Sequence, residues 1–240
     1  IPTLEALGLP LPVARELAEK HHGMVLVVGA AGNGKSTSIA SMVAHLNATR
    51  HLHIVTVEDP IEFVHKDQMS SISQREVGLD TASFGAALRA ALRQDPDLIF
   101  IGEIRDEETM EIGLKAAETG HLVMATLHTT DAVRTISRML ALMRGDPGEN
   151  RFRIATCLQG VIAQRLLPRA DGQGVVLASE VLVASQSIRE SIRRPENNPP
   201  IKALMEKGAH PYGMETFQAN IARLLEQGVI DQTVADEATV

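Results

Sequence analysis

Three short stretches carry side chains whose types and spacing do chemistry. The first is Gly29–Thr37, GAAGNGKST. Its glycines let backbone N–H groups turn inward on an anion. Lys35 adds a fixed cation, and Ser36 adds a hydroxyl suited to Mg²⁺. An apolar run, Met24–Val28, precedes the loop, and Ile39, Met42, Val43 and Leu46 follow it at helical spacing. Strand, G-x-x-x-x-G-K-[ST] and helix together predict a phosphate-binding P-loop, with the helix start adding its orphan N–H groups. Gly29, Ala30, Ala31, Gly32, Asn33, Gly34, Lys35, Ser36 and Thr37 are the expected cradle for the phosphates of ATP. The second stretch is the acidic turn Glu58–Glu62, EDPIE, after the short strand His53–Val57. Carboxylates at the C-terminal end of a strand stand where α/β sheets bind ligands. A second strand beside the P-loop strand would aim these carboxylates, Glu58, Asp59 and Glu62, at Mg²⁺ or the γ-phosphate; a solvated acidic turn is the plainer alternative. The third is Glu103, after the apolar strand Leu98–Ile101. It is placed to orient and polarise an attacking water, or else to serve the start of the next helix with Asp106–Glu108.

Two histidines and several arginines accompany these groups. His121 and His128 flank the strand Leu122–Leu127, which makes them candidates for sensing the γ-phosphate at the catalytic edge; structural histidines are the alternative. They lack the spacing of a zinc pair on one helix. Arg89 and Arg93 share a face of the helix Ser83–Arg93, and Arg75 lies in the polar segment Val64–Asp80. They read either as a solvated basic stripe or as arginines reaching a neighbouring subunit's nucleotide. Near the C-terminus, Ile188 and Ile192 are four apart, as are Arg189 and Arg193. The isoleucines anchor one helix face, and the arginines lie on an adjacent face, free to contact a partner. An ordinary amphipathic surface helix fits equally.

These residues need a scaffold that brings strand ends together. Ile1–Lys20 holds two short amphipathic pieces broken by Pro10 and Pro12, with Leu4, Leu7, Leu9, Val13 and Leu17 able to pack under a core. It reads as a linker delivering the chain from something upstream. Strands alternate with helices, the pattern of an α/β protein with a mainly parallel sheet. A helix runs from about Glu107 to Thr119, ended by Gly120, and Thr129 and Thr130 are expected to cap the next. Gly145–Glu149 reads as a loop, Phe152–Ile162 as a helix and Gln164–Leu167 as a strand. Val175–Val183 returns across a turn at PRADGQG, forming an antiparallel hairpin. From Ser185 onward the chain reads as short helices with a polar tail, Asp231–Val240. The expected division is a linker at 1–20, a core at 21–184 and a C-terminal helical appendage at 185–240.

Composition excludes several classes. Aromatics are 2% with no Trp, which leaves little for stacking on single-stranded nucleic acid. A net charge of −7 argues against a general nucleic-acid or anionic-membrane surface. The single Cys157 excludes an intrachain disulfide and a cysteine-based zinc site. No apolar run is long enough for a transmembrane helix, and no signal peptide is visible.

Taken together, the motifs resemble the ATPase domain of the secretion-ATPase superfamily, most closely the type IV pilus retraction (twitching motility, PilT-type) motors. GAAGNGKST matches the Walker A. VTVEDPIEF at Val55–Phe63 is similar to the family's Asp box, whose last glutamate falls on Glu62. DPDLIFIGEIRD at Asp95–Asp106 matches its atypical Walker B, placing the catalytic glutamate on Glu103. AETGHLVMATLHT at Ala117–Thr129 matches its His box, with His121 and His128. QREVG at Gln74–Gly78 and ALRAALRQDPD at Ala87–Asp97 also look like the family. SIRESIR, Ser187–Arg193, resembles the C-terminal A-I-R-x-x-I-R element of retraction motors, with Ser187 where they have alanine.

The resemblance covers nearly the whole chain. It implies a RecA-like P-loop NTPase core and Mg²⁺-dependent ATP hydrolysis in a homohexamer with ATP between neighbours. It also implies an N-terminal PAS-like domain outside this sequence. The partners it implies are the pilus machinery and an inner-membrane platform protein, at the cytoplasmic face of the inner membrane. Contact with the membrane is through those partners only. A motor of a type II/IV secretion or accessory pilus system, or a nucleotide-binding regulator without turnover, is the alternative.

Overall fold

The computed structural model describes residues 1–239. The chain opens with a 3₁₀ turn at Leu4–Leu7 and then gives α1 (Leu11–Ala18), β1 (Gly23–Val28), α2 (Lys35–Thr49), β2 (His53–Glu58) and β3 (Ser71–Glu76). Next come α3 (Phe84–Ala91), β4 (Leu98–Ile101), α4 (Glu107–Glu118), β5 (Leu122–Leu127) and α5 (Ala132–Leu142). The rest is α6 (Pro147–Cys157), β6 (Leu158–Pro168), β7 (Val175–Val183), α7 (Gln186–Arg193), α8 (Ile201–Lys207), α9 (Phe217–Glu226) and α10 (Gln232–Ala238). All seven strands lie in one sheet, in the order β3-β2-β4-β5-β1-β6-β7. Neighbours run parallel except β6 and β7, which pair antiparallel from Gly160↔Val183 to Pro168↔Val175.

β1, β4 and β5 are buried along their whole length. Helices cover both faces of these strands, so they read as continuous apolar runs rather than alternating ones. Each fully buried aliphatic side chain contributes roughly 1.5–3 kcal/mol. One hydrophobic cluster runs from Leu4 to Ala238, so the first helix and the last belong to the same core. Leu4, Leu9, Val13 and Leu17 are buried in it, with Leu7 packed at its margin.

Several local expectations need correction. β2 is not beside β1, because β4 and β5 lie between them. The polar segment 64–80 contains a strand, β3, paired residue for residue with β2 from His53↔Ser71 to Glu58↔Glu76. SISQRE lies at the sheet edge, where backbone pairing holds a strand that has little apolar side to bury. The expected helix Phe152–Ile162 starts earlier and stops at Cys157. Asp146 caps it, its Oδ1 accepting from Glu149 N at 2.8 Å, and Pro147 stands at the first helical position. The chain then turns straight into β6, whose Val161, Ile162 and Ala163 are fully buried. Asp131, rather than Thr129 or Thr130, caps α5, its Oδ1 accepting from Arg134 N at 2.7 Å. The expected polar tail holds α10, with Ala235 and Ala238 buried. Val240, the end of that stretch, lies outside the described residues.

The sheet's helical cover is cross-braced. Arg153 on α6 reaches Glu111 with both terminal nitrogens, at 3.0 and 2.8 Å, and Glu118 through Nε at 2.6 Å. These carboxylates lie two turns apart on α4. At the end of α6, Cys157 is buried, and burial pushes its thiol up to about 11. No helix among the described residues is long and apolar enough to cross a membrane.

Candidate functional site

β1 ends at Val28, and the loop that follows needs backbone conformations that favour glycine: φ is 78° at Gly32 and 75° at Gly34. Gly34 is the N-cap of α2, so Lys35, Ser36 and Thr37 form the helix's first turn with N–H groups free for an anion. Lys35 is only 8% exposed. Its Nζ donates to Ala30 O at 2.9 Å, closing the loop on itself, and lies 3.5 Å from His128 Nδ1. Burial lowers the Lys35 amine below its ordinary range, while the charges of Glu103 and Glu62 oppose that fall. Of the predicted cradle, Ala31, Gly32, Gly34, Lys35, Ser36 and Thr37 line a cleft of about 430 Å³. Gly29, Ala30 and Asn33 do not line it.

The far wall of the cleft comes from the ends of β2 and β4. Ser36 Oγ donates to Glu62 Oε1 at 2.7 Å, joining the helix start to the acidic turn. A hydroxyl and a carboxylate beside a phosphate cradle are hard oxygens of the kind that would hold Mg²⁺. Glu103 is held on both oxygens: Arg105 is 2.7 Å from Oε2, and His128 Nε2 is 3.1 Å from Oε1. Burial pushes its carboxyl up. The Arg105 hydrogen bond and the His128 and Arg105 charges outweigh that, leaving it below the usual carboxylate range.

Glu103, Glu62, His128 and the P-loop lysine and serine therefore converge on one cleft. His121 does not join them. It precedes β5 while His128 follows it, and six residues at about 3.3 Å each separate the two by roughly 20 Å. Its Nδ1 faces Ala116 O at 3.1 Å, at the opposite end of the strands. Arg75, Arg89 and Arg93 also lie outside the cleft. Arg89 pairs with Glu108, and Arg93 falls just past the end of α3; all three are exposed.

On α7, Ile188 and Ile192 are buried as the spacing implies. The arginines are not free, however. Arg189 donates to Ala155 O, to Thr156 O at 3.0 Å and to Gln159 Oε1 at 3.2 Å. Arg193 pairs with Glu190 at 3.0 Å and stands 5.0 Å over the Phe152 ring. Arg189 ties α7 to the end of α6, and Arg193 packs it on the middle of that helix.

Two residues outside the sequence motifs' candidate set, Arg105 and Thr126, also shape the cleft, beside Glu58 of the acidic turn. Arg105 holds Glu103 and lies 4.0 Å from Asp59. Glu58 is buried, which raises its carboxyl, although Thr56 at 2.6 Å and Gln74 at 3.1 Å hydrogen-bond to it. Thr126 donates to Gly102 O at 2.5 Å, joining β5 to the Glu103 loop. The signal for Arg105 is its place two residues after Glu103; Glu58, first in the acidic run, lines the cleft.

Residues 10–209 match the family model described as "Type II/IV secretion system protein". The chain belongs to this family. Among curated relatives, a twitching motility protein of Neisseria gonorrhoeae is 44% identical over 95% of this chain and 60% of its own length. A type IV pilus retraction ATPase, PilT, of Pseudomonas aeruginosa is 42% identical over 98% of this chain and 67% of its own length. A crystal structure of the pilus retraction motor PilT with bound ADP is similar at TM-score 0.91 and 46% identity, over 99% of this chain and 67% of that one. The chain thus spans about 60% to 67% of the length of these relatives. As in the secretion-family fold, a mainly parallel sheet is flanked by helices and closed by an antiparallel pair.

Proposed function

We propose that the chain is the ATP-hydrolysing part of a motor that powers type IV pilus retraction. The observation that carries this reading is the meeting, in one cleft, of a P-loop lysine, a Ser36–Glu62 pair and a Glu103 held ionised by Arg105 and His128. Lys35 neutralises the β- and γ-phosphates. Ser36 and Glu62 would hold Mg²⁺, which spreads the charge developing on the transferred phosphoryl group. Glu103 orients the attacking water; held below the usual carboxylate range, it acts chiefly as an acceptor that fixes the water's direction. His128, within reach of both Lys35 and Glu103, reports an occupied γ-phosphate position. The motor is a homohexamer in which exposed arginines such as Arg75 and Arg93 meet a neighbour's nucleotide, and it acts on the pilus machinery through an inner-membrane platform protein. It works at the cytoplasmic face and has no nucleic-acid substrate.

Two substitutions divide the labour. Lys35→Ala should abolish nucleotide binding, since the phosphates lose their fixed cation. Glu103→Gln should bind Mg-ATP normally but lose about 10²–10⁴-fold in turnover. Nucleotide titration and phosphate release measure the two. Hydrolysis by Glu103→Gln at the unaltered rate would reject the assigned role.

A further inference from the structure

Two residues of β6, Gln164 and Leu166, hold the phosphate loop from behind, and neither belongs to the motif that defines the loop. The Gln164 carbonyl lies flush against Gly29: a Cβ there would come within 2.6 Å of that oxygen. Gln164 Nε2 donates to Ser38 Oγ at 2.5 Å, near the start of α2. Leu166 N donates to Asn33 Oδ1 at 3.0 Å, and Leu166 itself lines the cleft. Between them, Arg165 stands over the Phe217 ring at 4.2 Å and donates to Ala238 O. Alternation along the strand thus puts the phosphate loop on one face of β6 and the C-terminal helices on the other.

Gln164 is 1% exposed, and its Oε1 has no partner. A buried amide with one end unpaired is a poor choice for stability, and an apolar side chain of the same size would serve better there. Asn33 occupies a position that the G-x-x-x-x-G-K pattern leaves open, and its side chain faces β6 rather than the cleft. A loop of glycines and alanines loses much conformational freedom when it closes on a ligand. Anchors that order it beforehand remove that cost from binding.

We propose that Gln164 and Asn33 are positioning residues that keep the phosphate loop pre-formed against β6, and so set the affinity for the phosphate part of the nucleotide. The proposal rests on the cleft being the nucleotide site.

The test uses Gln164→Met, Ser38→Ala, their double variant and Asn33→Ala, in the full chain. Titration with ADP, and competition by inorganic pyrophosphate, read the phosphate site, and thermal melting reads the fold. Gln164→Met should bind ADP and pyrophosphate each roughly 5- to 10-fold more weakly, the loss of one hydrogen bond's worth of order, with Tm unchanged or raised. Ser38→Ala should weaken both ligands as much, with Tm lowered because the buried Gln164 amide is left unpaired, and the double variant should bind no more weakly than either single one, because both remove one contact. Asn33→Ala should weaken both ligands independently.

Unaltered ADP affinity in Gln164→Met would overturn the anchor, as would a weakened affinity accompanied by a lowered Tm in that same variant, which is what packing alone predicts. Weaker ADP with unaltered pyrophosphate would also overturn it, placing the effect on the base or ribose. If the unaltered chain bound no ADP, the nucleotide site would fall and the anchor with it.

Discussion

Glu103 sits between opposing influences, and that balance makes a sharp prediction. Burial favours its neutral form, and the Arg105 contact at 2.7 Å is the strongest influence against burial. With its folded-state pKa below the ordinary carboxylate value, Glu103 favours the fold above the unfolded pKa, and this contribution is lost as pH falls through the folded one. Arg105→Gln removes that counterweight and leaves burial dominant. The acid limb of the turnover–pH profile should therefore move to higher pH in Arg105→Gln, while nucleotide binding near neutrality is retained. Profiles of the two chains that superimpose would show that Arg105 does not govern Glu103. Lys35 carries the reverse balance: burial lowers its amine, and the two carboxylates that oppose the fall are the ones that would share the cleft with Mg²⁺.

At the scale of elements, α7 is fixed rather than free. Arg189→Ala leaves the carbonyls of Ala155 and Thr156 and the Gln159 amide without their donor, at an expected cost of about 1–3 kcal/mol in denaturant unfolding. Arg193→Ala loses an ion pair and a ring contact at a part-exposed site, at about 1 kcal/mol or less. Arg193→Ala is therefore the cleaner test of mechanical coupling: turnover should persist while pilus retraction in cells is lost. Normal twitching at normal protein level would leave α7 a structural helix.

The same scale shows what the sequence made legible. β1, β4 and β5 were readable because buried parallel strands are apolar throughout, and the P-loop because glycine, lysine and serine have no cheaper use in that order. β3 was hidden because SISQRE pairs by backbone at an edge. The α6–β6 junction was hidden because Val161 and Ile162 fit a helical stripe as well as a strand. His121 was misplaced because spacing tells which residues flank a strand, not which end meets the cleft. Arg189 was misjudged because four-residue spacing defines a face but not what covers it.

For the whole molecule, Arg75 and Arg93 stand outside the cleft and exposed, so any part they take in hydrolysis needs a neighbouring chain. Turnover per chain should then fall on dilution and recover at higher concentration, in step with assembly followed by light scattering. Constant specific activity in a dilute monomer would exclude shared sites. One further property follows from the lone thiol at the end of α6. Cys157 is buried, and its thiolate forms only near pH 11, so a disulfide reagent at pH 8 should leave the native chain almost unmodified and react fully once it is denatured. Because the sequence has no other cysteine, the surface is chemically blank to maleimides. A cysteine placed at any exposed position would be labelled alone, without first removing a native one. Pairs of dyes on the sheet and on α7 would then record movement between them directly, turnover by turnover.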